Sequence, residues 1–138
     1  ILNEEFPNPV KRLYSHFTYL PLDEKKMNEG AKFLIGEHDF KSFCANRRMK
    51  KSTVRRIDEI RIVEHGTKLE FLYTGNGFLY NMVRILTGTL LEVGSGTRRP
   101  EKMKEIIAAK NRDMAGRTAP PEGLFLLHVG YEGERETV

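Results

Sequence analysis

Between Phe78 and Val93 the apolar side chains recur at a spacing that suits one local structure. At about 100° per residue, Leu79, Met82, Val83, Leu86, Leu90 and Val93 fall on a single narrow stripe. The spacing predicts a helix over 78–93 with that stripe against a core. Tyr80, Arg84, Thr87 and Leu91 form a second stripe, so the helix is expected to be occupied on two faces. Arg84 is the only basic residue in the stretch and stands beside the buried stripe. Because an unpaired buried charge is unfavourable, its guanidinium meets a fixed anion, pairs with a structural carboxylate or snorkels to water.

The rest of the chain supplies partners for such a helix. Leu13, Phe17 and Tyr19 alternate with polar neighbours, which predicts a strand near 12–20 that ends at Pro21. Asp23 is placed to cap a helix whose apolar face is Met27, Ala31, Leu34 and Ile35, with Gly36 as its stop. Ile57, Ile60, Ile62 and Val63 mark a strand turning near His65 and Gly66, and Leu69, Phe71 and Tyr73 alternate back as its hairpin partner. Pro100 opens a short helix carrying Met103, Ile106 and Ile107. Residues 111–123 are irregular, Leu124 to Tyr131 alternate as a closing strand, and the polar tail over 132–138 is expected to fray. This order predicts one domain over 1–138 of the α+β class: a ferredoxin-like split βαβ arrangement with an antiparallel sheet and helices on one face. Such a fold by itself selects no function.

Composition narrows the setting. A chain of 138 residues can bury a sufficient core without disulfide or metal, and its lone Cys44 fits a reducing cytoplasm. No apolar run approaches the about 18 residues of a membrane span, and no leader pattern is present, so the expectation is a protein neither inserted nor exported. The first residue, Ile1, suggests a piece of something longer. The net charge, +4 from 23 basic and 19 acidic residues, is modest, and its arrangement matters more than its size. From Lys41 to Ile57 the chain carries Lys41, Arg47, Arg48, Lys50, Lys51, Arg55 and Arg56 with no acidic residue. Such a run either binds a phosphate backbone by counterion release or keeps a loop and strand edge solvated. Arg98, Arg99, Lys102 and Lys104, interrupted by Glu101 and Glu105, read as an ordinary helix surface.

Other chemistries find little support. The four histidines and Cys44 are scattered without the spacing of a metal site. Glu37, His38, Asp39 and Cys44 could be read as a thiol nucleophile with its base, yet nothing local supports it, and Cys44 reads as a small buried hydrophobe. Gly75 and Gly77 give only G-x-G, since Tyr80 stands where a dinucleotide loop needs its third glycine.

The block Asn76-Gly77-Phe78-Leu79-Tyr80-Asn81-Met82-Val83-Arg84, followed by Gly88, Leu90-Leu91-Glu92-Val93-Gly94 and Gly96, resembles the C-terminal half of the bacterial tRNA pseudouridine synthase A family. Gly36-Glu37-His38-Asp39-Phe40, Ser42-Phe43 and Thr118-Ala119-Pro120-Pro121-Glu122-Gly123-Leu124-Phe125-Leu126 extend the likeness in the same order over nearly the whole chain. The resemblance implies a cytoplasmic isomerase that converts uridine to pseudouridine at tRNA positions 38, 39 and 40 in the anticodon stem-loop, without cofactor or metal, as a homodimer with a basic cleft for tRNA. It also implies roles for residues here. Arg84 matches the Arg that pairs with the nucleophilic Asp, and Leu124 matches the Leu of the uridine pocket, though Leu124 also reads as a core strand residue. Asn76, Phe78 and Tyr80 fall in the vicinity of the site, where Asn76 and Phe78 could equally shape the entry to the helix; Arg47, Arg48, Lys50, Lys51, Arg55 and Arg56 are the candidate RNA-binding residues.

One departure is large. The G-R-T-D-x-G-V-H motif that carries the family's nucleophile is absent, and Asp23, Asp39, Asp58 and Asp113 are the only aspartates. Asp23 reads as a cap, Asp58 lies on a strand of mixed charge, Asp39 is expected to orient backbone or RNA, and Asp113 precedes the Pro-rich loop. The expectation is a C-terminal domain that supplies Arg84 and Leu124, is inactive alone and has the N-terminal half of the same enzyme as its partner. The alternatives are a non-catalytic RNA-binding module of ferredoxin-like fold and an interaction domain with no RNA role.

Overall fold

Ile57 and Ile60 differ in parity, so a regular strand would send them to opposite faces of a sheet. A β-bulge removes the conflict in the computed structural model, which describes residues 2–3, 17–18, 22–65, 68–119 and 136–137. Along the chain run β1 (Leu2–Asn3), β2 (Phe17–Thr18), α1 (Glu24–Lys32), β3 (Gly36–Asp39), β4 (Val54–His65), β5 (Lys68–Gly75), α2 (Met82–Gly94), α3 (Lys102–Ala109) and β6 (Glu136–Thr137), with 3₁₀ turns at Lys41–Phe43 and Arg112–Met114. In the β4–β5 hairpin Ile62 faces Phe71, Ile60 faces Tyr73 and Ile57 faces Gly75, and the register slips between Ile57 and Glu59. The slip inserts Asp58 as the extra residue. It returns all three isoleucines to the face that carries Tyr73, whose hydroxyl reaches Thr87 of α2.

The sheet order is β2-β1-β5-β4-β3, with β6 also pairing β5. Every pairing is antiparallel except β1 with β2. Ile57, Ile62, Leu69 and Tyr73 of the hairpin join Met27, Ala31 and Leu34, the α2 stripe and Met103 and Ile106 of α3 in one buried cluster, so the helices share one side of the sheet. This is the α+β class with an antiparallel sheet that the pattern predicts. No helix among the described residues is long and apolar enough to cross a membrane.

Two expectations need correction, and one strand falls where the sequence shows no apolar period. Asp23 caps α1 as predicted, its Oδ1 accepting from Lys26 N at 3.2 Å, but the helix ends at Lys32 rather than Gly36. Ile35 therefore escapes the helical spacing and is exposed, while Gly36, at φ +104°, turns the chain into β3. β3 itself lies in a stretch without apolar period. It is an edge strand of Gly-Glu-His-Asp, held by ladder bonds to β4 rather than by burial. The second correction is that α2 starts at Met82 instead of Phe78, because Asn81 takes a left-handed conformation (φ 58°). Leu79 is still buried, carried there by a turn in which Met82 N donates to Leu79 O. Of the tail beyond Glu132, Glu136 and Thr137 pair with Gly75 and Thr74. The predicted strand at 124–131 lies outside the described residues, as does the strand near 12–20 apart from 17–18.

Candidate functional site

Asn81 occupies the N-cap position of α2 without capping it. Its Oδ1 accepts instead from Arg84 Nη1 at 3.1 Å, while Arg84 Nε donates to Ala119 O at 2.7 Å. Both acceptors are neutral oxygens, and they fix the plane of a half-buried guanidinium without cancelling its charge. The backbone returns the contact, as Ala119 N donates to Arg84 O at 3.0 Å. Residues 116–119 are thereby laid along α2 as a strap.

The rest of the strap is fastened with similar economy. Gly88 is required where it passes, since a Cβ there would come within 1.7 Å of Arg117 O. Gly116 N donates to the buried Thr89 Oγ1 at 2.9 Å. Arg112, from the 3₁₀ turn, reaches forward to Gly116 O at 2.9 Å and Thr118 Oγ1 at 3.2 Å. Arg98, half-buried rather than part of a plain helix surface, donates to Glu92 of α2 and to Met114 O. No pattern in the sequence identifies Asn81 and Ala119 as the partners of Arg84. Asn81 was visible only as a residue three before Arg84, and Ala119 offers its backbone alone, which no side-chain pattern reports.

The four aspartates are engaged elsewhere. Asp23 caps α1; Asp39 Oδ1 accepts from Lys41 N and from Thr53 Oγ1; Asp58 pairs with Arg56 at 3.0 Å; Asp113 pairs with Arg47 at 2.6 Å. Arg84 has no carboxylate partner among the described residues.

The remaining candidates surround this point unequally. Asn76 shapes the end of the hairpin, its Oδ1 accepting from Arg56 N at 2.8 Å while its N–H donates to Arg56 O. Phe78 packs against the core. Tyr80 is exposed and lies before the helix rather than on its second stripe, with its carbonyl accepting from Ala45 N. Leu124 lies outside the described residues. Of the basic run, Arg55 Nη1 donates to Ser52 O and Val54 O, with its side chain beside Gly77; Arg48, Lys50 and Lys51 are exposed. Cys44 is buried in the core, so the thiol reading has no accessible nucleophile. Arg47 holds the Asp113 carboxyl below its ordinary range through their hydrogen bond and charge. Arg112 is pushed the other way for a cation, below its usual value, by burial and by the neighbouring Arg47.

Comparison with known proteins places the chain in a family. Residues 31–132 match the family model described as tRNA pseudouridine synthase. The chain is 46% identical over 126 residues to tRNA pseudouridine synthase A of Bacillus licheniformis, covering 91% of this chain and 51% of that protein. It is 53% identical over 106 residues to the protein of that name from Anoxybacillus flavithermus (77% and 43% covered), and 47% identical over 133 residues to that of Bacillus subtilis (96% and 53%). The chain thus spans about half the length of the curated relatives it matches. The buried stripe of α2, the Arg84–Ala119 strap and the hairpin all fall inside the matched segment, and the chain belongs to the tRNA pseudouridine synthase family.

Proposed function

We propose that this chain acts as the C-terminal part of a cytoplasmic tRNA pseudouridine synthase that isomerises uridine at positions 38, 39 and 40 of the anticodon stem-loop, without cofactor or metal, in a homodimer. The observation that carries the reading is Arg84: a half-buried guanidinium held by two neutral oxygens, Asn81 Oδ1 and Ala119 O, its charge left for an anion from outside the described residues. The nucleophilic Asp of the other half is that anion. A fixed cation keeps such a carboxylate ionised and aimed at the ribose carbon as the glycosidic bond breaks, and it needs no reorganisation when charge develops. Leu124 packs against the uridine, Asn76, Phe78 and Tyr80 shape the approach, and Arg47, Arg48, Lys50, Lys51, Arg55 and Arg56 hold tRNA phosphates.

The experiment is release of tritium from tRNA labelled at uridine C5, with the chain alone and after addition of a separately expressed N-terminal half. Turnover only in the mixture is expected. In that complete enzyme Arg84→Ala abolishes turnover with little loss of tRNA affinity, and a fall of less than about tenfold removes Arg84 from the nucleophile's side. An assembled mixture without turnover that still binds tRNA would point instead to a non-catalytic RNA-binding module.

A further inference from the structure

Beside the strap lies an open groove of about 480 Å³ whose charges do not cancel. Arg47, Arg112 and Arg117 line it together with Asp113 and Glu92. Arg47 is paired with Asp113, and Glu92 with Arg98, so these four charges offset one another. Arg112 and Arg117 are left. Arg112 spends its hydrogen bonds on two neutral oxygens, and Arg117 is exposed with no side-chain partner among the described residues. Two guanidiniums therefore face one groove with neither hydrogen-bonded to a carboxylate among the described residues, while Asp113 and Glu92 line the same groove and are paired with Arg47 and Arg98.

The backbone beneath Arg117 is unusually well fixed for an exposed residue. Its carbonyl sits over Gly88, and the neighbouring Gly116 and Ala119 are bonded to Thr89 and Arg84. Among the described residues the side chain meets no partner at its tip, and it is anchored at its root. A cation so placed binds an anion without the added cost of first ordering a loop. The position also has a direction. Arg117 is two residues from Ala119, at most about 7 Å of extended chain from the carbonyl that holds Arg84.

We propose that this groove is a phosphodiester subsite, in which Arg112 and Arg117 hold the RNA backbone next to the nucleotide presented at Arg84, with Asp113 competing for the same cations. This rests on the tRNA reading above. A phosphodiester offers two charged oxygens to guanidinium forks, a better geometric match than a point contact with lysine.

The test is binding of a fluorescently labelled, unmodified tRNA transcript to this chain assembled with the separately expressed N-terminal half, across about 50–200 mM salt. Arg117→Ala, which removes no side-chain hydrogen bond or ion pair among the described residues, is expected to weaken binding about fivefold to tenfold and to reduce the salt slope by about 1. Asp113→Asn, which deletes the competing carboxylate, is expected to tighten binding about twofold to fivefold. Lys104→Ala on α3 serves as the remote control and leaves the affinity unchanged. If Arg117→Ala binds within twofold of the parent, the groove is not a subsite. If inorganic phosphate stabilises the parent against heat through Arg117 while tRNA affinity ignores Arg117, the groove takes a free anion and the RNA assignment is wrong. An assembled parent mixture that fails to bind the transcript at low salt would sink the tRNA reading itself, and the subsite with it.

Discussion

The strap over α2 and the basic loop before β4 both carry arginines, and they hold them in opposite ways. Arg84 and Arg112 each donate to two oxygens across the strap, and the backbone around them is fastened to buried groups such as Thr89 Oγ1. In the loop, Arg48, Lys50 and Lys51 are exposed, and the tether from Arg47 to Asp113 joins two side chains that are 60% and 68% exposed. The difference separates two uses of positive charge. A cation held by neutral oxygens keeps its field and its position, and so can stabilise one particular anion. Free cations in solvent supply a field without register, which suits a nucleic-acid backbone, and salt screens them readily.

The comparison breaks most easily at Gly88. Gly88→Ala drives a Cβ into Arg117 O, so the strap must lift, and denaturant unfolding is expected to show a loss of about 2–3 kcal/mol at unchanged m. Unaltered stability would mean that the strap rests on α2 without being fastened to it. A smaller effect is expected for Thr89→Val, which keeps the shape but leaves the Gly116 N–H buried without its acceptor. About 1–2 kcal/mol should be lost, and no loss would transfer the fastening to the contacts made by Arg84, Arg98 and Arg112. The smallest effect belongs to the loop's tether. Because Arg47 lowers the Asp113 pKa in the folded chain, the pair's contribution is present at neutral pH and disappears as pH falls through that lowered value. Both groups are exposed, so the readout is an NMR titration of the Asp113 carboxyl rather than a melt. Its midpoint should lie below the ordinary value of about 3.9 and rise in Arg47→Ala, and a midpoint indifferent to Arg47 would dissolve the tether.

Legibility in the sequence followed the same divide. Leu86, Leu90 and Val93 could be placed on the buried stripe of α2 because each needs apolar surroundings and a helix repeats its faces regularly. The hairpin of β4 and β5 was readable for the corresponding reason in strands. What escaped were features made by backbone atoms: the left-handed Asn81 that delays α2, the bulge at Asp58, the edge strand β3, and Ala119 O as a partner of Arg84. Leu79 shows how the two can agree by accident, since it is buried as the helical spacing requires without lying in the helix.

The sequence by itself determined the α+β class, the buried face of α2, the family, and Arg84 as the residue to question, because burial and charge are properties that a side chain carries with it. Only the tertiary structure decided what Arg84 touches, that residues 112–119 lie across Gly88, and that Arg112 and Arg117 meet Arg47 in one groove. The contacts of Arg84 with Ala119 and of Gly88 with Arg117 join segments far apart in the chain, through backbone oxygens that every residue possesses and no sequence pattern can distinguish.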